Sequence, residues 1–484
     1  MGLSTTLSNA LTGLNAASRG ADVVSQNIAN ARTQGYARRE VNLSAQSLGG
    51  NGAGVRVDAV TRSFSQSLLN DRRLADADTG NTGLQADFLS GMEKALGLPG
   101  DPGALTGLVA AFDAALVQAA SRPDSQARLQ NLATAASDLA GRLNGLSDRL
   151  QQARMDADDA ITSLVDDLNS SLSQIDRLNA DILTQRAAGR DATALMDQRQ
   201  KLVDHVAEIV PLREVARDHD QIALFTTGGA ILLEGNPAVI GFVPVGVITA
   251  DMALGSGSLS GLTINGLPVP SGAGGVLAGG TLGAQFAIRD DLAPGIQTQL
   301  DALARDLMER FTTPGVDPTL PPGQPGLFTD AGTAFNLMTE AGLAGRLTLN
   351  ALADPARGGA LWRLRDGLGA ATPGNIGNAA VLNSLRDALT AQRIPQSGSF
   401  PGAGRSAGGL AADALSQVAG HRQTTEARQT YSAARQSTLA DLQAKDGVDT
   451  DAEMQMLLLI EQAFSANARV IQTVDDLINR LIEL

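Results

Sequence analysis

The chain has 484 residues, which at roughly 150 residues per domain suggests about three domains. Its 37 basic and 51 acidic residues leave a net charge of −14, which argues against nonspecific binding to nucleic acid or to an anionic membrane. Cysteine is absent, so disulfides, Cys-ligated zinc, iron–sulfur clusters and thiol nucleophiles are excluded. With 11 Phe, 1 Trp and 2 Tyr the chain has few rings to stack on bases or sugars, and its 3 histidines are His205, His219 and His421. The composition leans away from an enzyme, and no cofactor or metal is expected.

Residues 1–30 show no basic region followed by an unbroken apolar core, so no cleaved secretory signal is expected. They carry instead Leu3, Leu7, Ala10, Leu14, Ala17, Ala21, Val24 and Ile28 at alternating four- and three-residue steps. That is a heptad seam. Between 104 and 212 there are only 4 Gly and 2 Pro, whereas 228–283 holds 15 Gly and 4 Pro. The first block reads as helix and the second as turns and short strands. Apolar positions step through Leu132, Leu139, Leu146, Ala157, Ile161, Leu168 and Ile175 to Ile182. About 50 residues of unbroken helix rise ~75 Å, which fits long packed rods. Asp124 and Ser125 after Pro123 mark its start.

From Pro211 the period changes. Residues 222–226, 230–233 and 245–249 read as strands of a small β-rich domain. The uncharged run from Met252 to Ile288 is broken by Gly, Ser and Pro, so it is not a membrane helix. Helical spacing returns over 285–311, resumes at 379–391 after a Pro-rich loop, and dominates from Gly408 onward. Near the C-terminus Leu457, Ile460, Phe464, Asn467, Ile471, Val474, Ile478 and Leu481 form a second seam. Thr450-x-x-Glu453 ahead of it has the form of a capping box. Residues 1–40 carry a net charge of +2 and residues 441–484 one of −6, so the two ends are complementary. An isolated pair of such helices is marginal in water, and full ordering is expected on packing against further copies.

The stretch Ser25–Arg39, with Asn27-Ile-Ala-Asn30 followed by Gly35-Tyr36, resembles the signature of flagellar rod, hook and hook-associated proteins. The segments 2–21, 195–203, 447–453 and 460–473 resemble the hook-associated protein 1 family, which forms the hook–filament junction. The resemblance implies a structural subunit of the bacterial flagellum, exported without a cleaved signal peptide and located outside the cell. It would join hook to filament by self-assembly through paired terminal helices. Implied partners are further copies in a junction ring, the hook protein, the next hook-associated protein or flagellin, and an export chaperone at the C-terminal helix. The assembly interface is expected at Leu3, Leu7, Leu14, Val24, Ile28, Asn30, Gly35 and Tyr36, together with the eight C-terminal seam residues. Gly35 and Tyr36 are read as a turn that the tyrosine ring and hydroxyl anchor together.

The expected fold is mainly α, with a long helical bundle, coiled-coil termini and an inserted small β-rich outer domain. The expected division is 1–60 with 441–484 as inner domain, 61–212 with 284–312 and 379–440 as rod, and 213–283 with 313–378 as outer domain. Two other readings stay open: another flagellar axial protein, hook-associated or flagellin-like, and an unrelated secreted coiled-coil scaffold. Catalytic patterns are poor. Gly404-x-Ser406-x-Gly408 matches a nucleophile elbow in form, yet a loop precedes it, and Asp413 and His421 fall on one helix. The pairs Asp158-Asp159 and Asp166-Asp167 read as a solvated helix face rather than a cation site.

Overall fold

The computed structural model describes residues 2–33, 35–48, 51–101 and 103–482. Gln34, within the Ser25–Arg39 motif, lies outside the described residues. In chain order the elements begin with α1 (Leu3–Asn30), the strands β1 (Arg38–Leu48) and β2 (Asn51–Ser63), and α2 (Gln66–Leu96). Then come α3 (Leu105–Ser121), α4 (Gln126–Ala187) and α5 (Thr193–Ile209). Short strands follow: β3 (Leu212–Ala216), β4 (Ile222–Thr226), β5 (Ile231–Glu234), β6 (Asn236–Pro237), β7 (Ile240–Gly241), β8 (Leu262–Ile264) and β9 (Leu267–Val269). The remainder comprises α6 (Gly280–Ala287), α7 (Ala293–Thr312), β10 (Phe328–Asp330), α8 (Leu343–Arg346) and β11 (Leu347–Leu349). It ends with α9 (Trp362–Asp366), α10 (Ala380–Thr390), α11 (Ala407–Lys445) and α12 (Thr450–Ile482). The fold is mainly α with short strands, as expected, and no closed sheet occurs among the described residues.

Two units are distinguished. One consists of Met1–Thr79, Asp166–Ile240 and Tyr431–Leu484, the other of Gly80–Val165 and Gly241–Thr430. The second unit holds a large apolar core. Leu132, Leu139 and Leu143 of α4 are fully buried against residues of α3, α7 and α10. The core centres on Phe112, Phe311 and Phe328, whose ring centroids lie 5.7–6.0 Å apart in edge or tilted arrangements. Such geometry adds to simple area burial.

Arginine also serves as an internal strut in this unit. Arg289 is fully buried, pairs with Asp158 at 2.6 Å, and sits over the rings of Phe242 and Phe286. Asp158 is therefore not on a solvated face. Its second oxygen accepts the Val245 amide at 2.6 Å, while neighbouring Asp159 is exposed. Arg154 donates to the carbonyls of Arg289, Thr249 and Met252. These two α4 side chains explain why 245–249 is not the expected strand. Its buried backbone groups find side-chain partners rather than a neighbouring ladder. The expected strands over 222–226 and 230–233 do form, as β4 and β5.

The first unit contains an element the sequence reading did not anticipate, the antiparallel hairpin β1–β2. Its core partners are Arg39↔Arg62 and Val41↔Val60, with a register shift after Asn42. A second sheet in this unit, in the order β3-β4-β5-β6, is also antiparallel. Among the described residues no helix is long and apolar enough to cross a membrane.

Truncating Phe328 to Ala removes a ring buried on all sides, and such changes cost about 3–5 kcal/mol. Trp362, the single tryptophan, lies in the same unit, so denaturant unfolding followed by its fluorescence should report that loss. A change below about 1 kcal/mol would contradict this description of the core.

Candidate assembly site at the chain termini

In the first unit α1 and α12 pack together, and their close approaches fix direction and register. A Cβ placed on Gly13 would meet the Asn467 side chain at 2.8 Å, and one on Gly20 would meet Ile460 Cδ1 at 3.1 Å. One heptad further, the Asn27 Nδ2 donates to Glu453 Oε2 at 3.1 Å. As α1 advances by seven residues, α12 retreats by seven. The pair is antiparallel, with the heptad period the sequence displays. Glycine at two of the three rungs lets the helices approach where a side chain would hold them apart.

The third rung is a buried polar hub. The chain leaves α1 through a turn in which Thr33 N–H donates to Asn30 O and Tyr36 N–H to Thr33 O, with Gly35 at φ +78°. That left-handed conformation favours glycine. The turn brings Tyr36 back onto the helix it has left. Its hydroxyl donates to Asn27 Oδ1 at 2.8 Å, and the Arg39 amide donates to the same oxygen at 3.0 Å. The Asn27 Nδ2 donates to Arg39 O at 2.9 Å and to Glu453. Asn27 is 1% exposed, and both of its polar atoms are engaged twice. Glu453, also 1% exposed, accepts from Arg38 Nε at 2.7 Å through its other oxygen. One asparagine thus fastens the end of α1, the turn, the start of β1 and the start of α12.

Glu453 does not close the expected capping box. Asp449 caps α12 instead, its Oδ1 accepting the amides of Asp451 and Ala452 at 2.9 and 3.2 Å. Position 453 is released to face inward. Burial works against the Arg38 cation, but the hydrogen bond and charge of Glu453, with Glu40, outweigh it and hold its pKa above the ordinary value. Burial raises the Tyr36 phenol, opposed in part by the Arg39 guanidinium lying 4.8 Å over its ring.

A second cluster explains the 195–203 segment. Arg39 and Arg62 are direct cross-strand partners, and like charges so placed repel. Asp197 on α5 lies between them, at 2.9 Å from each guanidinium. Gln200, three residues on, accepts from Arg62. Asp204, a further turn along, pairs with Arg72 and with the fully buried Arg73, which also reaches Glu214 on β3. On the other side of α5, Arg199 donates to Asn179 Oδ1 and to the Asp220 carbonyl. Burial pushes its pKa down to about 10. One helix thus binds the hairpin and α2 through charge pairs on successive turns, and Arg73 of α2 carries the network on to the small sheet.

Between α1, the hairpin and the start of α12 runs a groove of about 560 Å³, lined mainly by apolar and small residues. The expected seam residues are distributed around it unequally. On α1, Ala10, Ala17 and Val24 are buried, while Leu3, Leu7, Leu14 and Ile28 are half-buried. On α12, Val474 is buried, Leu457, Ile460, Asn467, Ile471 and Ile478 are half-buried, and Phe464 and Leu481 are exposed. Asn30 stays local, donating to Gln26 O and accepting from Thr33. The sequence reading did not single out Asn27, Gly13, Gly20, Arg38 or Asp197. Asn27 and Arg38 lie inside the Ser25–Arg39 motif, and the seven-residue spacing of Gly13, Gly20 and Asn27 is the available signal.

The serine of the elbow-like motif sits at a helix start, where Ser406 Oγ accepts the Gly409 amide at 3.1 Å. Asp413 pairs with Arg405, and both Asp413 and His421 lie on α11. No grouping of His, Asp and Glu suited to a metal ion occurs among the described residues.

The model of the flagellar hook-associated protein FlgK helical domain matches residues 89–314, and that of the flagellar basal body rod FlgEFG protein C-terminal matches residues 445–484. Flagellar hook-associated protein 1 of Salmonella typhimurium is 27% identical over 243 residues, covering 49% of this chain and 44% of that protein. The Escherichia coli protein of the same name is 25% identical over 319 residues, covering 64% and 57%. The Bacillus subtilis one is 26% identical over 240 residues, covering 47% of each. The chain spans about half the length of the curated relatives it matches. A solved flagellar hook junction protein, FlgK from Burkholderia pseudomallei, is similar at 20% identity and a TM-score of 0.44, covering 55% of this chain and 47% of that one. Both family-model matches and the curated relatives place the likeness among proteins of the flagellar axis. The helical block of the chain is similar to the flagellar hook-associated protein 1, or FlgK, family.

Tyr36 supplies a test of the hub. A folded-state pKa above the ordinary 10.0 means that stability is fully present below pH 10 and is lost as pH rises through the folded value. Replacing Tyr36 with Phe should remove about 1 kcal/mol at neutral pH and abolish the alkaline part of the loss assigned to this group. Urea unfolding of both proteins between pH 7 and pH 11 measures it. An unchanged alkaline slope in Tyr36→Phe would remove Tyr36 from the hub.

Proposed function

We propose that this chain is a non-enzymatic structural subunit of the bacterial flagellum, an adaptor that joins hook to filament by self-assembly through its paired terminal helices. The observation that carries the reading is the antiparallel α1–α12 pair, locked at one end by Asn27 and Glu453, in a chain similar to the FlgK family. The pair leaves seam residues such as Phe464 and Leu481 at the surface. Helices that keep apolar seam positions in water have further helices to meet.

In this reading the chain works outside the cell and reaches its place without a cleaved signal peptide. Its neighbours are further copies in a junction ring, the hook protein below, and the next hook-associated protein or flagellin above. A chaperone covers the C-terminal helix before export. Residues 1–60 with 441–484 form the inner layer. Residues 61–212 with 284–312 and 379–440 form the rod, and 213–283 with 313–378 face outward. The assembly interface comprises the seam residues of both ends, with Asn30, Gly35 and Tyr36 at the turn.

Deleting residues 1–30 or 452–484 should leave a folded, soluble centre but abolish filament attachment. Cells carrying either deletion should shed flagellin into the medium. Filaments that stay anchored on such cells would refute the junction role.

A further inference from the structure

Residues 242–270 carry five glycines and three prolines, and the β8–β9 hairpin within them pairs over three rungs. A hairpin that small does not hold its own shape in water. Among the described residues, the core built on Phe112, Phe311 and Phe328 takes no side chain from this stretch. Its Ile248, Leu259 and Leu262 are buried, while Val243 and Val247 are each 69% exposed.

Charged side chains of the neighbouring helices fix the backbone of the stretch. Asp158 Oδ2 accepts the Val245 amide at 2.6 Å. Arg154, one turn earlier on α4, donates to the Thr249 and Met252 carbonyls at 2.9 and 2.6 Å. Arg289 donates to the Ser260 carbonyl at 2.8 Å. The three anchors are joined to one another. Arg289 Nη1 donates to Asp158 Oδ1 at 2.6 Å, and the Arg289 carbonyl accepts from Arg154 Nε at 2.9 Å. Each of these residues is 1% exposed or less. Arg289 lies in a π-helical turn, Ile288–Leu292, that joins α6 to α7. Turns of this kind concentrate at functional sites.

We infer that residues 242–270 form a strap that opens and closes as one piece while the helices under it stay folded, with Arg154, Asp158 and Arg289 as its latch. Two properties of the latch give this behaviour. Removing one member leaves a buried charge without its partner, so the anchors release together rather than singly. Yet the ions regain hydration when the strap lifts, which offsets most of the attraction lost. The closed strap is therefore held less firmly than the apolar core, and it opens well before the unit unfolds. Opening bares Phe286, whose ring meets Phe242 edge-on at 6.0 Å, together with the latch. The surface of this unit changes while the Phe112 core stays intact.

Hydrogen–deuterium exchange of the full chain in a rising series of low urea concentrations tests the strap. Peptides covering 242–270 should exchange through one shared opening with little dependence on urea, because that opening exposes little surface. Peptides of α3 and α7 should exchange through a larger opening that urea promotes. Asp158→Asn keeps the size of the side chain and leaves Asp290 to pair with Arg289. It should speed exchange about a hundredfold across the whole of 242–270 and leave α3 and α7 unchanged. Phe328→Ala should do the reverse. Exchange of 242–270 in step with α3 and α7 at every urea concentration would overturn the strap. So would an Asp158→Asn effect confined to peptides around Val245. Should Asp158→Asn fail to fold, the urea series on the unsubstituted protein decides alone.

Discussion

A carboxamide can donate two hydrogen bonds and accept two, and the buried Asn27 side chain makes all four. Its partners come from the Tyr36 turn, from both backbone groups of Arg39, and from Glu453, 426 residues away in sequence. No other uncharged side chain of similar size satisfies the same set. Aspartate lacks the two donors, and serine lacks the reach. Loss of Asn27 would strand a buried carboxylate beside an arginine with one fewer donor, and stranded charges are costly. The arrangement is best understood as a device for specificity. It makes one register of α1 on α12 far better than its neighbours, as a single polar residue does in other helix pairs.

The same logic recurs away from the termini. Asp197 lies between two arginines that face each other across the hairpin, and Arg289 is held by Asp158 beneath two phenylalanines. Each of these charges has little value as a contribution to net stability, since burial offsets most of the attraction. Each has a large effect if its partner is removed. A mainly helical chain with much Ala and Gly and few aromatic rings has limited means of fixing one packing by shape alone. Buried arginine networks supply directional contacts where bulky side chains are scarce.

The sequence made the helices legible because their apolar steps continue for many turns, and the terminal seams were clear for the same reason. The hairpin was not. Residues 38–63 carry Arg, Asp, Asn and Gly among their alternating valines, so the period-two signal is faint. The stretch 245–249 failed in the opposite sense. Its β-branched composition is genuine, but side chains from α4 satisfy its backbone, which no local pattern announces. Thr450 and Glu453 had capping-box spacing, yet Asp449 took over the capping, and only the tertiary neighbours Arg38 and Asn27 explain why Glu453 turns inward. The motif residues were visible by resemblance. Their mutual bonds were not, because they join segments far apart in the chain.

The pairing of the two ends depends most on the docking of α12 by Asn27. Hydrogen–deuterium exchange of the full chain tests it directly, comparing Asn27→Ala with the unsubstituted protein and with Asn30→Ala, whose side-chain bonds stay within its own turn. Asn27→Ala should lower the protection of α12 amides by about a hundredfold, the effect of roughly 2.7 kcal/mol. Amides of the second unit and the whole Asn30→Ala protein should stay close to the original. Equal effects of the two substitutions on α12, or no effect of either, would contradict the account.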